Sequence, residues 1–574
     1  MSFLLIIFDR EFQNEHSRNA LRVFTNENRR KCFSKKINNT KTYHFQQGSD
    51  QDPFYENEEY IVCATGNIYA IENKLVKNVD LGKSLLEYIT KKGGNFIPDI
   101  DGEFTLFIYS KILNEYYIYN DCFGFYPLYY YCNSDNIVLC NEIEPVISFL
   151  KENIQFNNDV LAEHFCLDHT VGNKTFYKGI FNLPAGTKLV IDNGFSFQCK
   201  QYEISQIISI KNPEINEIAE QIANLLKQAI QKRMFSSDKN TFTLTGGLDT
   251  RMITECIDRN LLNTQRFVTY KATNLSEETD QDVVIAGEIA KKSRLNFSIL
   301  DYSFFDEEMD THYYKKRRES ISEKYFSGVF GSELIRCEIK HALDPDYYNY
   351  LISLEKKYSL RHITYLQKRK AFIQKTDSKM SLFSDDFIKT IEHPIFSIER
   401  EYFSEENYSN KLLRYFITLM TRSFYLNIYG GTRAYLMERP CNILFSYKTP
   451  FLDRNLLLFL LSIPYKFYCE NIVEIYNVLF TKHYTTYLDV LTNSSFTSNA
   501  DFKIGKIKTG INQIDTRYYK CKLIIDYAKH NDSYLDLVFS QPISTLICDS
   551  DANLKQKIID FTLWSKYIKK HIID

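Results

Sequence analysis

The chain carries no excess of either charge. Its 70 Lys and Arg stand against 72 Asp and Glu, for a net charge of −2, which removes the electrostatic case for a nucleic-acid partner or an anionic membrane surface. The 13 cysteines include no Cys-x-x-Cys pair. Cys122, Cys132 and Cys140 lie nearest together, and no histidine is spaced beside them to complete a zinc site. Reduced, mostly buried thiols in a cytoplasmic protein are the expected state. Long apolar runs are missing too: Phe3 to Phe8 and Leu456 to Leu461 are the longest, far short of the ~20 residues that span a bilayer. The first has no basic stretch before it and runs into Asp9 and Arg10, so it reads as a first strand rather than a signal peptide. No internal repeat is visible.

What is present is an ordinary globular composition, 44% hydrophobic and 25% charged over 574 residues. That length is too great for one core and predicts two or more domains. Residues 1 to about 200 are rich in aromatic and β-branched runs broken by turns, such as Tyr60 to Ala64, Phe104 to Tyr109, Tyr116 to Tyr119 and Pro127 to Tyr131. They predict layered β structure with a few helices, Leu81 to Lys91 among them. From Ile215 the spacing changes: Ile215, Ile218, Ile222, Leu225, Leu226, Ala229 and Ile230 recur at helical intervals.

The stretch that follows organises the rest. Thr241 to Leu244 reads as a short buried strand. Thr245-Gly246-Gly247-Leu248-Asp249-Thr250 follows, and Met252 and Ile253 open a helical pattern. A strand, a glycine turn and a helix start collect backbone N–H groups around one point with the helix dipole behind them, which suits phosphate or pyrophosphate. Thr245 and Thr250 can add hydroxyl donors, and Asp249 can hold magnesium between phosphate oxygens. It is not a Walker loop, because no Gly-Lys-Ser/Thr follows. The competing reading is a tight strand-to-helix turn with no ligand.

Thr-Gly-Gly-Leu-Asp-Thr resembles the Ser-Gly-Gly-x-Asp-Ser pyrophosphate loop of the asparagine synthetase family, and Leu225 to Arg233 stands where that family has a helix ending in Ala-Val-x-x-Arg. Three pieces upstream resemble the family's amino-terminal glutaminase domain: Asp101-Gly-Glu-Phe-Thr-Leu-Phe-Ile-Tyr109, Asn120-Asp-Cys-Phe-Gly-Phe-Tyr-Pro-Leu-Tyr-Tyr130 and Cys140-Asn-Glu-Ile-Glu144. Thr175 to Gly186 resembles the hairpin at its domain junction. Downstream, Ser327-Gly-Val-Phe-Gly-Ser-Glu-Leu334 is similar to Ser-Gly-Glu-Gly-Ala-Asp-Glu-Leu. Thr432 to Arg439, with Thr449-Pro-Phe-Leu-Asp453, resembles the Glu-Val-Arg-x-Pro-Phe-Leu-Asp signature.

The resemblance implies a mixed α/β and α+β protein of two domains. Residues 1–200 would form a layered αββα glutamine-amidotransferase-like domain of Ntn-hydrolase type. Residues 201–574 would form a parallel-sheet ATP-pyrophosphatase-type synthetase domain with added helices. It implies ATP and Mg2+ as cofactors. Leu244, Thr245, Gly246, Gly247, Asp249, Thr250, Thr269, Ser327 and Gly328 would bind ATP and pyrophosphate, and Asp249 and Glu333 would be the catalytic metal ligands. Asp282 would lie near the nucleotide or serve only as a helix-start carboxylate; Arg336 would meet phosphate or remain a surface arginine.

Several positions depart from the family pattern. Ser2 replaces the amino-terminal Cys nucleophile, Thr65-Gly-Asn-Ile-Tyr69 replaces Asn-Gly-Glu-Ile-Tyr, and the Arg-Leu-x-Ile-Ile-Asp glutamine clamp has no counterpart, so the expected glutaminase is dead. Val329 stands where the family has the Glu used in asparagine formation, and Ser332 where it has the metal-binding Asp. Ile472 to Asn477 has no Lys where the family places one. The expectation is an ATP-dependent ligase that adenylates a small-molecule, peptide or saccharide carboxylate and transfers it to ammonia or an amine. No nucleic acid and no membrane are expected, and a homodimer is one candidate assembly. The alternative is an inactive nucleotide-binding or scaffold protein.

Overall fold

In a computed structural model, the described residues are 2–9, 15–25, 31–38, 40–46, 53–77, 80–93, 99–150, 154–167, 170–192, 196–201, 210–235, 240–272, 276–278, 280–302, 324–328, 331–335, 370, 373–402, 447–490, 537–541 and 546. The chain divides into two compact units. One comprises Met1–Ile204, Lys340–Asn442 and Ile524–Asp574; the other comprises Ser205–Ile339 and Ile443–Leu523.

The first unit begins with β1 (Ser2–Asp9), α1 (Glu15–Thr25), β2 (Lys31–Ile37), β3 (Thr40–Gln46), β4 (Phe54–Glu56), β5 (Tyr60–Ile71), β6 (Lys74–Leu75) and α2 (Leu81–Lys92). It continues with β7 (Ile100–Ser110), β8 (Glu115–Asn120), β9 (Tyr129–Cys132), β10 (Asn136–Cys140), α3 (Ile143–Leu150), α4 (Asn158–Leu167), β11 (Phe181–Asn182), β12 (Thr187–Ile191) and β13 (Phe197–Gln201). One antiparallel sheet runs β11-β9-β10-β1-β3-β2, and a second runs β13-β12-β8-β7-β5-β4 with β6 on β5. Period-two alternation decides which face each side chain takes. Leu4, Ile6 and Phe8 of β1 meet Ile61, Cys63, Phe107, Tyr116 and Ile118 of the other sheet in one buried layer. The opposite phase of β5, β7 and β8, with Val62, Leu106, Ile108 and Tyr117, packs on Leu85, Tyr88 and Ile89 of α2. With α3 against β9 and β10 and α1 against α3, the order is helix, sheet, sheet, helix.

The second unit contains α5 (Ile215–Phe235), β14 (Asn240–Thr243), α6 (Leu248–Glu255), α7 (Arg259–Leu262), β15 (Arg266–Ala272), α8 (Gln281–Ser293), β16 (Asn296–Tyr302) and β17 (Lys324–Phe326). The helix Gly331–Ile335, β18 (Tyr447–Lys448) and the helices Arg454–Ser462 and Tyr465–Val478 follow. Its sheet is ordered β16-β15-β14-β17-β18 and is parallel at every pairing. Phe242 of β14 stacks on Phe267 at 5.5 Å and on Phe326 at 4.5 Å, so aromatic rings from three adjacent strands form a core row. The chain passes from β14 outward through β15 and β16, then returns to the other side of β14 for β17 and β18. The strand order therefore reverses at β14, and in an open parallel sheet that leaves a crevice at the carboxyl ends of the strands flanking the reversal.

Candidate functional site

The two loops at that crevice are the glycine stretches of the sequence. The first leaves β14 at Thr243 and enters α6, with Gly247 as its amino-terminal cap in extended conformation and without a side-chain cap. Gly247 has no side chain to satisfy the first-turn N–H groups, which are the donors that make a helix start an anion site. The second loop leaves β17 at Phe326. The strands are tied there by the Thr243 hydroxyl donating to Phe326 O at 3.1 Å, and Ser327 N donates to Lys448 O at 2.9 Å.

Asp249 is where the loops meet. A Cβ placed on Gly331 would lie 2.5 Å from Asp249 Cγ and 2.6 Å from its Oδ1. One placed on Gly328 would lie 3.0 Å from Thr250 Cγ2 and 3.2 Å from Asp249 Cβ. Both glycines are therefore present because the Asp249 side chain and the start of α6 pack directly on their backbone. Glu333 lies in the helix that begins at Gly331; its side chain and that of Ser332 lie outside the described residues, as do Val329, Arg336 and the Thr432 to Arg439 segment. Among the described residues no group of three or more Asp, Glu, His or Cys side chains gathers around one point.

The remaining loop residues close on themselves. Thr245 N donates to Thr250 Oγ1 at 3.2 Å, and Gly247 N donates to Thr245 Oγ1 at 3.1 Å. Gly246 N donates to Asp282 Oδ1 at 2.9 Å, across from the first turn of α8. Burial pushes the Asp282 carboxyl above the ordinary range, against the pull of the Gly246 N–H. Leu244 is fully buried and its N–H donates to Val268 O, so Thr269 stands next along β15. Thr269 is 1% exposed, and among the described residues its Oγ1 has no hydrogen-bond partner.

Sequence reading missed three supports. Arg251, 1% exposed, donates from Nη1 to Tyr487 O at 3.2 Å and Val490 O at 3.0 Å, and from Nη2 to Gly246 O at 3.3 Å. The Asp453 carboxylate accepts from Arg233 Nη1 at 2.7 Å and Lys232 Nζ at 2.5 Å, and caps the next helix by accepting from Asn455 N at 3.0 Å. Burial opposes its charge, but those two cations hold it below the usual carboxylate range. Fully buried Lys448 stands two residues before Pro450, where the Arg-x-Pro-Phe-Leu-Asp signature has its arginine. The signal was legible there, and in the pairing of the two motifs that contain Arg233 and Asp453.

In the first unit, Asp121 organises the Asn120 to Tyr130 stretch. Its Oδ1 accepts from Phe123 N at 3.1 Å and Phe125 N at 3.0 Å, and its Oδ2 from Tyr126 N at 2.9 Å. Burial nevertheless pushes it up to about 7. Thr65 Oγ1 lies 3.2 Å from Tyr126 Oη, and Gly66 has φ +105° with Glu103 O 2.2 Å from where a Cβ would be. Residues 43–203 match the glutamine amidotransferase domain family. A protein of Acanthamoeba polyphaga mimivirus named probable asparagine synthetase (glutamine-hydrolyzing) is 26% identical over 251 residues, 42% of this chain and 43% of that one. Asparagine synthetase (glutamine-hydrolyzing) 2 of Bacillus subtilis (strain 168) is 24% identical over 285 residues, 46% of this chain and 38% of that one.

Over less than half of its length in each case, the chain is similar to proteins named asparagine synthetase. It is of mixed α/β architecture, and its residues 43–203 carry the match to a glutamine amidotransferase domain. The match spans 43% and 38% of the lengths of these two curated relatives. Among solved structures, the allosteric regulatory enzyme of purine biosynthesis has a TM-score of 0.25 and 9% identity over 57% of this chain and 74% of that one. Among the described residues no helix is long and apolar enough to cross a membrane.

Proposed function

We propose that this asparagine-synthetase-like chain is an ATP-dependent amide-forming ligase, which adenylates a carboxylate with release of pyrophosphate and passes the acyl group to ammonia or an amine. The observation that carries the reading is the meeting of the β14 and β17 loops on Asp249 at the point where the strand order reverses. A ligand-free structural turn would not require a second loop with glycines fitted to the same carboxylate.

In this reading the first turn of α6, with Gly246, Gly247 and the Thr245 and Thr250 hydroxyls, receives pyrophosphate. Leu244, Thr269, Ser327 and Gly328 line the nucleotide side, and the unpartnered Thr269 hydroxyl is a polar group such a ligand would satisfy. Asp249 and Glu333 would hold Mg2+, a donor set that fits a cation needing only one or two carboxylates beside phosphate and water. When bound, the ion would neutralise the leaving pyrophosphate. The chain's own task is to hold the carboxylate in line and keep water out.

The glutaminase is proposed to be silent. Ser2 stands in place of the nucleophilic cysteine, and the residue at the oxyanion position, Thr65, is placed with its hydroxyl against Tyr126. Ammonia or an amine on another molecule would then supply the nitrogen. The acceptor carboxylate belongs to a small molecule, peptide or saccharide, and Val329 argues against aspartate.

The test is isotope exchange between pyrophosphate and ATP with magnesium, across a panel of carboxylates including aspartate and peptides. Wild type should exchange with one class of them, and Asp249→Ala should lower the rate by at least about a thousandfold, the scale of losing a main electrostatic group. Absence of both ATP binding and exchange in wild type would overturn the ligase reading in favour of a scaffold.

A further inference from the structure

Gly246 is held on one side by a buried cation and on the other by a partly buried carboxylate. Its carbonyl accepts from Arg251 Nη2, a guanidinium fixed by Tyr487 O and Val490 O. Its N–H, the central donor of the loop, is taken by the Asp282 carboxylate at 2.9 Å. The neighbouring Thr245 and Gly247 amides are met by neutral threonine hydroxyls, which rotate away at little cost. Asp282 differs because it brings a negative oxygen to a backbone N–H at a helix-start loop, the contact a phosphate oxygen would make. It comes from the first turn of α8, where Asp280 accepts the Asp282 N–H and fixes that turn.

We propose that Asp282 is an internal occupant of the cradle, holding the Gly246 N–H in place of a phosphate oxygen, so that an anionic ligand enters by displacing it. The proposal rests on the reading of this loop as a pyrophosphate cradle. Two consequences follow. The carboxylate and a polyphosphate compete for one donor and repel one another, so a weakly bound monoanion is excluded while a polyphosphate with further contacts in the first turn of α6 can still enter. The displaced Asp282 lies in the first turn of α8, so filling the cradle turns its carboxylate away from the loop. A purely supporting role, in which Asp282 shapes the loop for its ligand, makes the opposite forecast for its removal.

The experiment measures calorimetric affinity of the full chain for magnesium pyrophosphate in wild type, Asp282→Ala and Asp282→Asn. Hydrogen exchange of the 244–250 segment is followed alongside. Asp282→Ala should bind about tenfold tighter or more, the change expected from removing one charge-assisted competitor at ~1.4 kcal/mol per decade. Asp282→Asn, which keeps the shape without the charge, should fall between the two and reads the effect if the alanine variant fails to fold. Exchange at the loop should speed up in the alanine variant and be restored by pyrophosphate. Equal or weaker binding by both variants, with wild-type binding intact, would overturn the proposal and leave the ligase reading standing. No pyrophosphate binding by any of the three proteins would overturn both.

Discussion

Residue 331 shows how little room the site leaves. A methyl group there would enter the Asp249 carboxyl at 2.5 Å, a separation that forces one of the two loops to move. Gly331→Ala should therefore displace Asp249 while leaving the aromatic row of the sheet intact. The expected outcome is a fall in pyrophosphate exchange of about a hundredfold, the usual scale for an ångström of misplacement, with an unchanged far-ultraviolet circular dichroism spectrum. Wild-type exchange in Gly331→Ala would show that Asp249 does not act from this position. Thr269 makes the complementary case: among the described residues its buried hydroxyl has no partner, and unmet polar groups of this kind cost ~1–3 kcal/mol.

At the scale of elements, Asp453 joins parts of the second unit that are far apart in sequence. It links the end of α5, through Lys232 and Arg233, to the helix that begins at Arg454. Lys324 Nζ donates to Arg233 O at 2.7 Å, so β17 is tied to the same point. Removing one partner of a buried pair leaves the others charged and unpaired. Asp453→Ala should destabilise the second unit by ~3–5 kcal/mol, with about 1 kcal/mol of that from the lost helix cap, as read by chemical denaturation. A loss below about 1 kcal/mol would mean that solvent replaces the carboxylate, against its 1% exposure.

For the whole molecule, two buried carboxylates, one in each unit, should respond to pH in opposite directions. In the first, Glu163 is 1% exposed, paired with Lys174 and accepting from Val171 N at 2.8 Å; burial nonetheless pushes its carboxyl up to about 7. The folded chain then holds a proton that the unfolded chain releases near 4.5. Its contribution is complete below that value and is lost as pH rises through about 7. Asp453 is depressed below its ordinary 3.8, so its contribution is present above that value and is lost on acidification through its folded pKa. Protection of segment 158–182 against hydrogen exchange, taken relative to the intrinsic rate, should fall from about pH 5 to about pH 8, and Glu163→Gln should flatten the change. An unchanged slope in that variant would assign the dependence to another group.

Much of this was readable from the sequence. The apolar run Phe3 to Phe8 marked a first strand, and the Ile218 to Ile230 spacing marked α5, because local pattern alone decides which residues of an element can be buried. The Thr-Gly-Gly-Leu-Asp-Thr run likewise marked the strand–turn–helix at β14 and α6, where glycine chemistry is local. Local pattern could not bring Gly331 onto Asp249 or Arg233 onto Asp453. Those contacts depend on strand order and on side chains meeting across more than two hundred residues in the last case. The tertiary structure also decided that the Gly246 N–H already has a partner: Asp282 lies 36 residues away, and only the parallel placement of β15 beside β14 brings the start of α8 to the loop.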